Sequence, residues 1–82
     1  MSKDRGTGKR IRALRIEKGL SQRQLSTALV SYAFISRIEQ GQRIPSWSAL
    51  LEIAPKLDVS TLSLATGREH RLSVLRTMME LP

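Results

Sequence analysis

The chain has 82 residues, a formal net charge of +7, no cysteine and a single histidine. That length supports one small domain burying about 60–65% of its extended-chain surface, which favours a compact helical core over a deep enzyme cavity. Without cysteine there is no disulfide framework and no thiolate metal site, and no apolar run approaches the roughly 18 residues of a membrane span. The opening MSKDRGTGKR lacks the apolar segment of a signal peptide, so the expectation is a soluble cytoplasmic protein with no membrane partner.

Residues 1–8 are basic, contain glycine and show no periodicity, and read as an N-terminal arm. Thr7 stands as N-cap of a first helix from Gly8 to Lys18, with Ile11, Leu14 and the following Leu20 directed inward, an arginine-rich outer side, and Gly19 as its stop. Ser21 followed by Gln24 forms a capping box for a second helix, Gln22 to Ala28. Ser31 then caps a third, Tyr32 to Glu39, which Gly41 terminates. Only Leu29 and Val30 are left between them, so the stretch from Ser21 to Gln40 is laid out as a helix-turn-helix.

At about 100° per residue, Ile35, Ile38, Ser31 and marginally Phe34 share one face of the third helix, while Ala33, Ser36, Arg37 and Gln40 share the other. Tyr32 lies on the flank of that outer face at the helix's N-terminal end, where a helix entering a major groove places its base-contacting residues. An ordinary amphipathic surface helix would show the same split. The cap, turn and cap in sequence favour the reading face.

After the loop Gln42-Arg43-Ile44-Pro45, Ser46 caps a fourth helix from Trp47 to Leu57. Leu50, Ile53, Ala54 and Leu57 form its core stripe, flanked by Leu51 and by Trp47, which is expected to pack. Pro55 deprives the Leu51 carbonyl of its helical donor, which predicts a bend or tightening over residues 51–55. Ser60 caps a short fifth helix, Thr61 to Ala65, closed by Gly67. Residues 68–82 carry Leu72, Val74, Leu75, Met78, Met79 and Leu81 on a further amphipathic helix. This helix either packs back on its own domain or pairs with a second copy, and pairing through Leu72, Leu75, Met78 and Met79 is the expectation, because the unit before them already looks complete and methionine surfaces adapt to partners. His70 has no cluster of ligands around it, and no nucleophile with a base or glycine-rich phosphate loop is present, so no enzyme, metal or cofactor is expected.

Ile11, Arg12, Leu14, Arg15, Gly19, Leu20, Ser21, Gln22, Leu25, Ile35, Ser36, Arg37, Ile38, Glu39, Gly41, Pro45, Ser46 and Leu50 together follow the pattern of one family. Over residues 9–67 the chain resembles the phage Cro and lambda-repressor-like helix-turn-helix regulators, with SQxxL, ISRIExG and Pro-Ser in order. It departs from them in the apolar, shortened Leu29-Val30 turn, where many members carry a glycine, and in Pro55. The resemblance implies an all-α, compact five-helix DNA-binding domain, here with an additional C-terminal helix. It also implies that Arg15 pairs with Glu39 to hold the first and third helices together.

Residues 1–18 carry +5 and residues 19–45 carry +2, whereas residues 46–67 carry −1, so the charge collects ahead of and within the motif, as a phosphate-facing surface requires. The expected partner is double-stranded DNA at a pseudo-palindromic operator, bound by a homodimeric, nucleoid-associated transcriptional repressor. Tyr32, Ala33, Ser36 and Arg37 are the expected base contacts, and Gln22, Arg23, Gln42 and Arg43 the expected phosphate contacts. The competing expectation is a protein-interaction module, antitoxin-like or an anti-repressor partner, binding another protein through the apolar tail with DNA contact secondary.

Overall fold

The computed structural model describes residues 6–67, which form five helices in the order α1 (Thr7–Glu17), α2 (Gln22–Leu25), α3 (Tyr32–Glu39), α4 (Trp47–Lys56) and α5 (Thr61–Thr66). The expectations for the arm up to Arg5, for the apolar tail and for His70 lie outside the described residues.

Serine starts four of the five helices. The hydroxyls of Ser21, Ser31, Ser46 and Ser60 accept from the backbone N–H of Gln24, Phe34, Ala49 and Ser63, each satisfying one donor that the first turn leaves open. At Ser21 the reciprocal bond is present as well, its N–H donating to Gln24 Oε1 at 2.8 Å. Ser31, assigned by periodicity to the core face, is exposed because its side chain serves the helix end.

The start of α1 differs from the sequence expectation. Gly6, at φ 79°, occupies the cap position, and Thr7 is a buried first helical residue whose hydroxyl accepts from Arg10 at 3.1 Å. Arg10 also donates from Nε to the Leu64 carbonyl and from its terminal nitrogen to the Ala65 carbonyl, both at 3.1 Å. The guanidinium thus sits over the C-terminal end of α5, where a cation is favoured, and fastens α5 to α1.

The core combines Ile11 and Leu14 of α1, Leu25 of α2, Val30 of the turn, Ile35 and Ile38 of α3, Ala49, Leu50, Ile53 and Ala54 of α4, and Leu57, Val59 and Leu64. α1 packs against α3 and α5, α2 against α3, and α4 against α5. Trp47 departs from its expected place: it is 53% exposed, with Ile44 and Leu51 also exposed, while Pro45 is buried. It stands at the edge of the α4 stripe formed by Leu50, Ile53, Ala54 and Leu57, and Leu51, one turn on along the same edge, is exposed as well.

The tightening expected at residues 51–55 falls later, at the end of α4. Pro55 is accommodated one residue before that end. The Leu57 and Val59 N–H groups then both donate to the Ala54 carbonyl, at 3.0 and 3.2 Å, and Asp58 donates to the Pro55 carbonyl at 3.2 Å. Asp58 takes the left-handed conformation (φ 58°) that such a stop requires, which glycine supplies after α1 and α3.

Gly8 is where α1 crosses α3 most closely, since a Cβ there would stand 2.0 Å from the Ile38 carbonyl oxygen. Gly19 has open space around it but a φ of +71°. Gly8→Ala is therefore expected to destabilise the fold by about 3 kcal/mol, the upper end of overpacking. Gly19→Ala should cost only about 1–2 kcal/mol, the left-handed penalty alone. Urea denaturation checks both, and equal midpoints for the two variants would contradict the close crossing.

Candidate nucleic-acid interface

Four residues make a helix too short to persist by itself, so α2 depends on what holds it. The capping box fixes its start, and Leu25 anchors it in the core. Its C-terminal carbonyls are met from across the fold: Lys56 Nζ donates to the carbonyls of Gln24 at 3.1 Å and Ser26 at 2.6 Å.

Ending α2 at Leu25 corrects the expected end at Ala28, and the connection to α3 is correspondingly longer than Leu29-Val30. Ser26 leaves the helix with ψ 154°, its hydroxyl bonded to the Arg23 carbonyl. The Thr27 N–H donates to the Val30 carbonyl at 2.8 Å, and Thr27 Oγ1 accepts from the N–H groups of Leu29 at 3.2 Å and Val30 at 3.0 Å. Serine and threonine here satisfy backbone groups that another helical turn would have used. Val30 is buried, which seats the turn and delivers the chain to Ser31.

The inner side of α3 is fixed by apolar contact and by charge. Ile35 and Ile38 are fully buried, and the Glu39 side chain is only 3% exposed. Arg15 grips that carboxylate with two donors, Nε to Oε2 at 2.7 Å and a terminal nitrogen to Oε1 at 3.0 Å, and spends a third on the Leu20 carbonyl at 2.9 Å. Gln22 Nε2 also donates to Glu39 Oε1, at 3.1 Å. One acidic side chain therefore ties α3 to α1 and to α2. Donating hydrogen bonds to the Glu39 carboxylate raises the Arg15 pKa above its ordinary value against the opposing effect of burial. For a cation, a raised pKa means that the contribution to stability is present through the neutral range and is lost only as pH climbs through that value in strongly alkaline solution.

The outer side of α3 is uncommitted to the core. Tyr32 is 44% exposed, Ala33 and Arg37 are exposed, and Ser36 is half-buried. Gln40 donates to Ser36 Oγ at 2.9 Å and accepts at Oε1 from Gln42 Nε2 at 3.1 Å, so three polar side chains run in a line along the exposed end of α3. The Arg23 guanidinium carbon lies 4.0 Å over the centre of the Tyr32 ring, a cation–π contact between α2 and α3. Arg43 is exposed in the following loop.

Tyr32, Ala33, Ser36 and Arg37 thus share one outward surface, joined by Arg23 through the aromatic contact and by Gln42 through Gln40. Gln22, expected at a phosphate, gives one of the two N–H donors of its amide to Glu39. The count of basic residues likewise overstates the phosphate-facing charge, as Arg10 and Arg15 are engaged inside the fold. Two contributors escaped the sequence reading. Gln40 was placed on the outer face without a role, and its spacing of four from Ser36 was the available signal. Lys56 gave no signal, because its contacts lie about thirty positions back along the chain.

Residues 8–66 match a family model described as a helix-turn-helix domain. The chain belongs to that family. It is 39% identical over 59 residues to the uncharacterized HTH-type transcriptional regulator YazB of Bacillus subtilis (strain 168), a match covering 71% of this chain and 86% of that protein. No solved structure matches it.

The Arg15–Glu39 geometry generates a test in this member. Arg15→Ala is expected to destabilise the domain by about 3 kcal/mol, because the Glu39 charge would stay buried with one neutral donor. The double replacement Arg15→Met with Glu39→Leu should cost less than Arg15→Ala alone. Denaturation midpoints at constant m-value decide this, and a double variant worse than the single would mean that the pair contributes net stability.

Proposed function

We propose that this helix-turn-helix protein is a sequence-specific, double-stranded DNA-binding transcriptional repressor that acts as a homodimer on a pseudo-palindromic operator. The observation that carries the reading is the division of α3. Ile35, Ile38 and Glu39 lock one side into the domain, while Tyr32, Ala33 and Arg37 stand outward on the other. A helix held this rigidly, with a side-chain row left unused by the fold, suits insertion into the major groove. Arg37 can offer two donors to the O6 and N7 of guanine and Ala33 a methyl-sized contact to thymine, while Ser36 and the edge of Tyr32 complete the base-contact set. Arg23, Gln42 and Arg43 flank this row and take the phosphates.

The repressor mechanism is steric: an operator overlapping a promoter is occupied and polymerase is excluded, within the cytoplasm at the nucleoid. One recognition helix reads only a few base pairs, so two copies with half-sites about 34–36 Å apart supply the remaining discrimination. The sequence assigns the two-fold contact to Leu72, Leu75, Met78 and Met79. A protein-interaction role has its own support in the exposed apolar side chains of Ile44, Trp47 and Leu51 around the start of α4.

Selection of bound duplexes from random genomic fragments tests the reading and yields the operator; failure to enrich any sequence would count against it. On the recovered site, affinity is expected to fall about 10³–10⁵-fold between about 50 and 200 mM salt, as for about 6–10 neutralised phosphates. Arg37→Ala should cost about 1–3 kcal/mol and relax preference at one base pair per half-site, whereas Arg43→Ala should weaken all sequences alike. Fluorescence anisotropy against a panel of single-base variants separates these two patterns, and their reversal would displace α3 from its assigned role.

A further inference from the structure

Arg23 sits alone on α2 as an exposed cation aimed at α3 rather than at solvent. Its guanidinium carbon is 4.0 Å over the Tyr32 ring, and among the described residues its side-chain N–H groups meet no hydrogen-bond acceptor. A guanidinium has one planar fork of five N–H donors, and stacking uses only its face. The ring therefore restricts the side chain while leaving the whole donor edge available. Arginine left mobile in solvent would lose its rotamer freedom on binding an anion, and a platform that fixes it beforehand removes part of that cost.

Tyr32 is the first residue of α3, directly after the Ser31 cap, so the platform stands at the end of the helix that the proposed function directs into the major groove. Its ring cannot offer the face used by Arg23 to a base as well. What remains for the groove is the ring edge and the hydroxyl.

We infer that Tyr32 is a positioning residue for Arg23: its ring holds the guanidinium edge-on to a DNA phosphodiester beside the groove-entering end of α3. This rests on the DNA-binding reading above and deepens it, because the residue at the start of the recognition helix then sets the register on the backbone in addition to touching bases. The recognised chemistry is a single phosphodiester oxygen pair, bound bidentately by the arginine edge.

The test uses the full chain and a mixed-sequence DNA duplex longer than the footprint, on which base preferences average out and phosphate contacts remain. The readout is the slope of log affinity against log salt, which a merely structural defect does not move in proportion to one charge. Arg23→Ala is expected to lower the slope by about 0.9 per bound chain. Tyr32→Leu should lower it by a smaller amount and weaken binding about two- to five-fold, the worth of an exposed cation–π contact. Tyr32→Phe, which keeps the ring but loses the hydroxyl, should leave the slope closer to wild type than Tyr32→Leu does. Arg23→Ala combined with Tyr32→Leu should bind no more weakly than Arg23→Ala alone. Melting curves exclude a folding defect, and Arg23→Lys, which keeps the charge but stacks poorly, should make Tyr32→Leu nearly silent. Losses that multiply in the double variant, or a Tyr32→Leu slope equal to wild type, would overturn the pairing while leaving DNA binding intact. A wild-type protein with no salt-dependent binding would instead remove the DNA-binding reading on which it stands.

Discussion

The Glu39 carboxylate is the point on which the orientation of the other helices depends. A charge as deeply placed as this one is tolerable only when its oxygens are occupied by donors, and the donors come from two different helices, Arg15 on α1 and Gln22 on α2. Glu39 is also the last residue of α3, so three helices are fixed relative to one another at one end of α3. The contact is directional in a way that apolar packing is not. Ile35 and Ile38 would be buried equally well after a small rotation of α3, but the two-pronged grip of Arg15 would not survive it.

That polar joint works together with a steric one. Next to Glu39 the backbone of Ile38 meets Gly8, and no side chain of any size fits between α1 and α3 there. The close crossing and the ion pair thus set both the separation and the angle of the two helices. Near the same end of α1 as Gly8, Arg10 ties the helix to the carbonyls of α5, so that one helix carries two arginines acting as internal fasteners. In a domain with so little core, each such tie matters more than it would in a larger one.

Rigidity on the inner side leaves the outer side of α3 uncommitted to the core. α2 is pinned by its capping box, by Leu25 and by Lys56, and the turn by Thr27 and Val30, so the start of α3 enters from a fixed position. The Arg23–Tyr32 contact extends this order to the exposed surface. The line from Gln42 through Gln40 to Ser36 does the same at the other end of α3. Recognition surfaces benefit from such prior ordering because less conformational freedom is lost on binding.

The sequence by itself determined where four of the five helices begin and what kind of fold they make. A serine three residues ahead of a free N–H, a glycine after the last apolar position and the 3.6-residue spacing of Ile35, Ile38, Leu50, Ile53 and Leu57 are local signals, and they specify an all-helical chain with the motif in place. The candidate surface was legible for the same reason: Ala33, Ser36 and Arg37 fall opposite the core stripe on any helix with that register. Tertiary structure alone decided the rest, because those facts concern residues far apart along the chain. That α2 stops at Leu25 follows partly from Lys56 donating to the carbonyls of Gln24 and Ser26 at its end. That Gln22 and two arginines face inward follows from where Glu39 and the end of α5 come to lie. That Trp47 is exposed, together with Leu51 one turn on, follows from which edge of the α4 stripe the packing leaves uncovered. A local pattern fixes the direction of a side chain around its own helix, whereas its partner depends on the distance to another helix, which only packing sets.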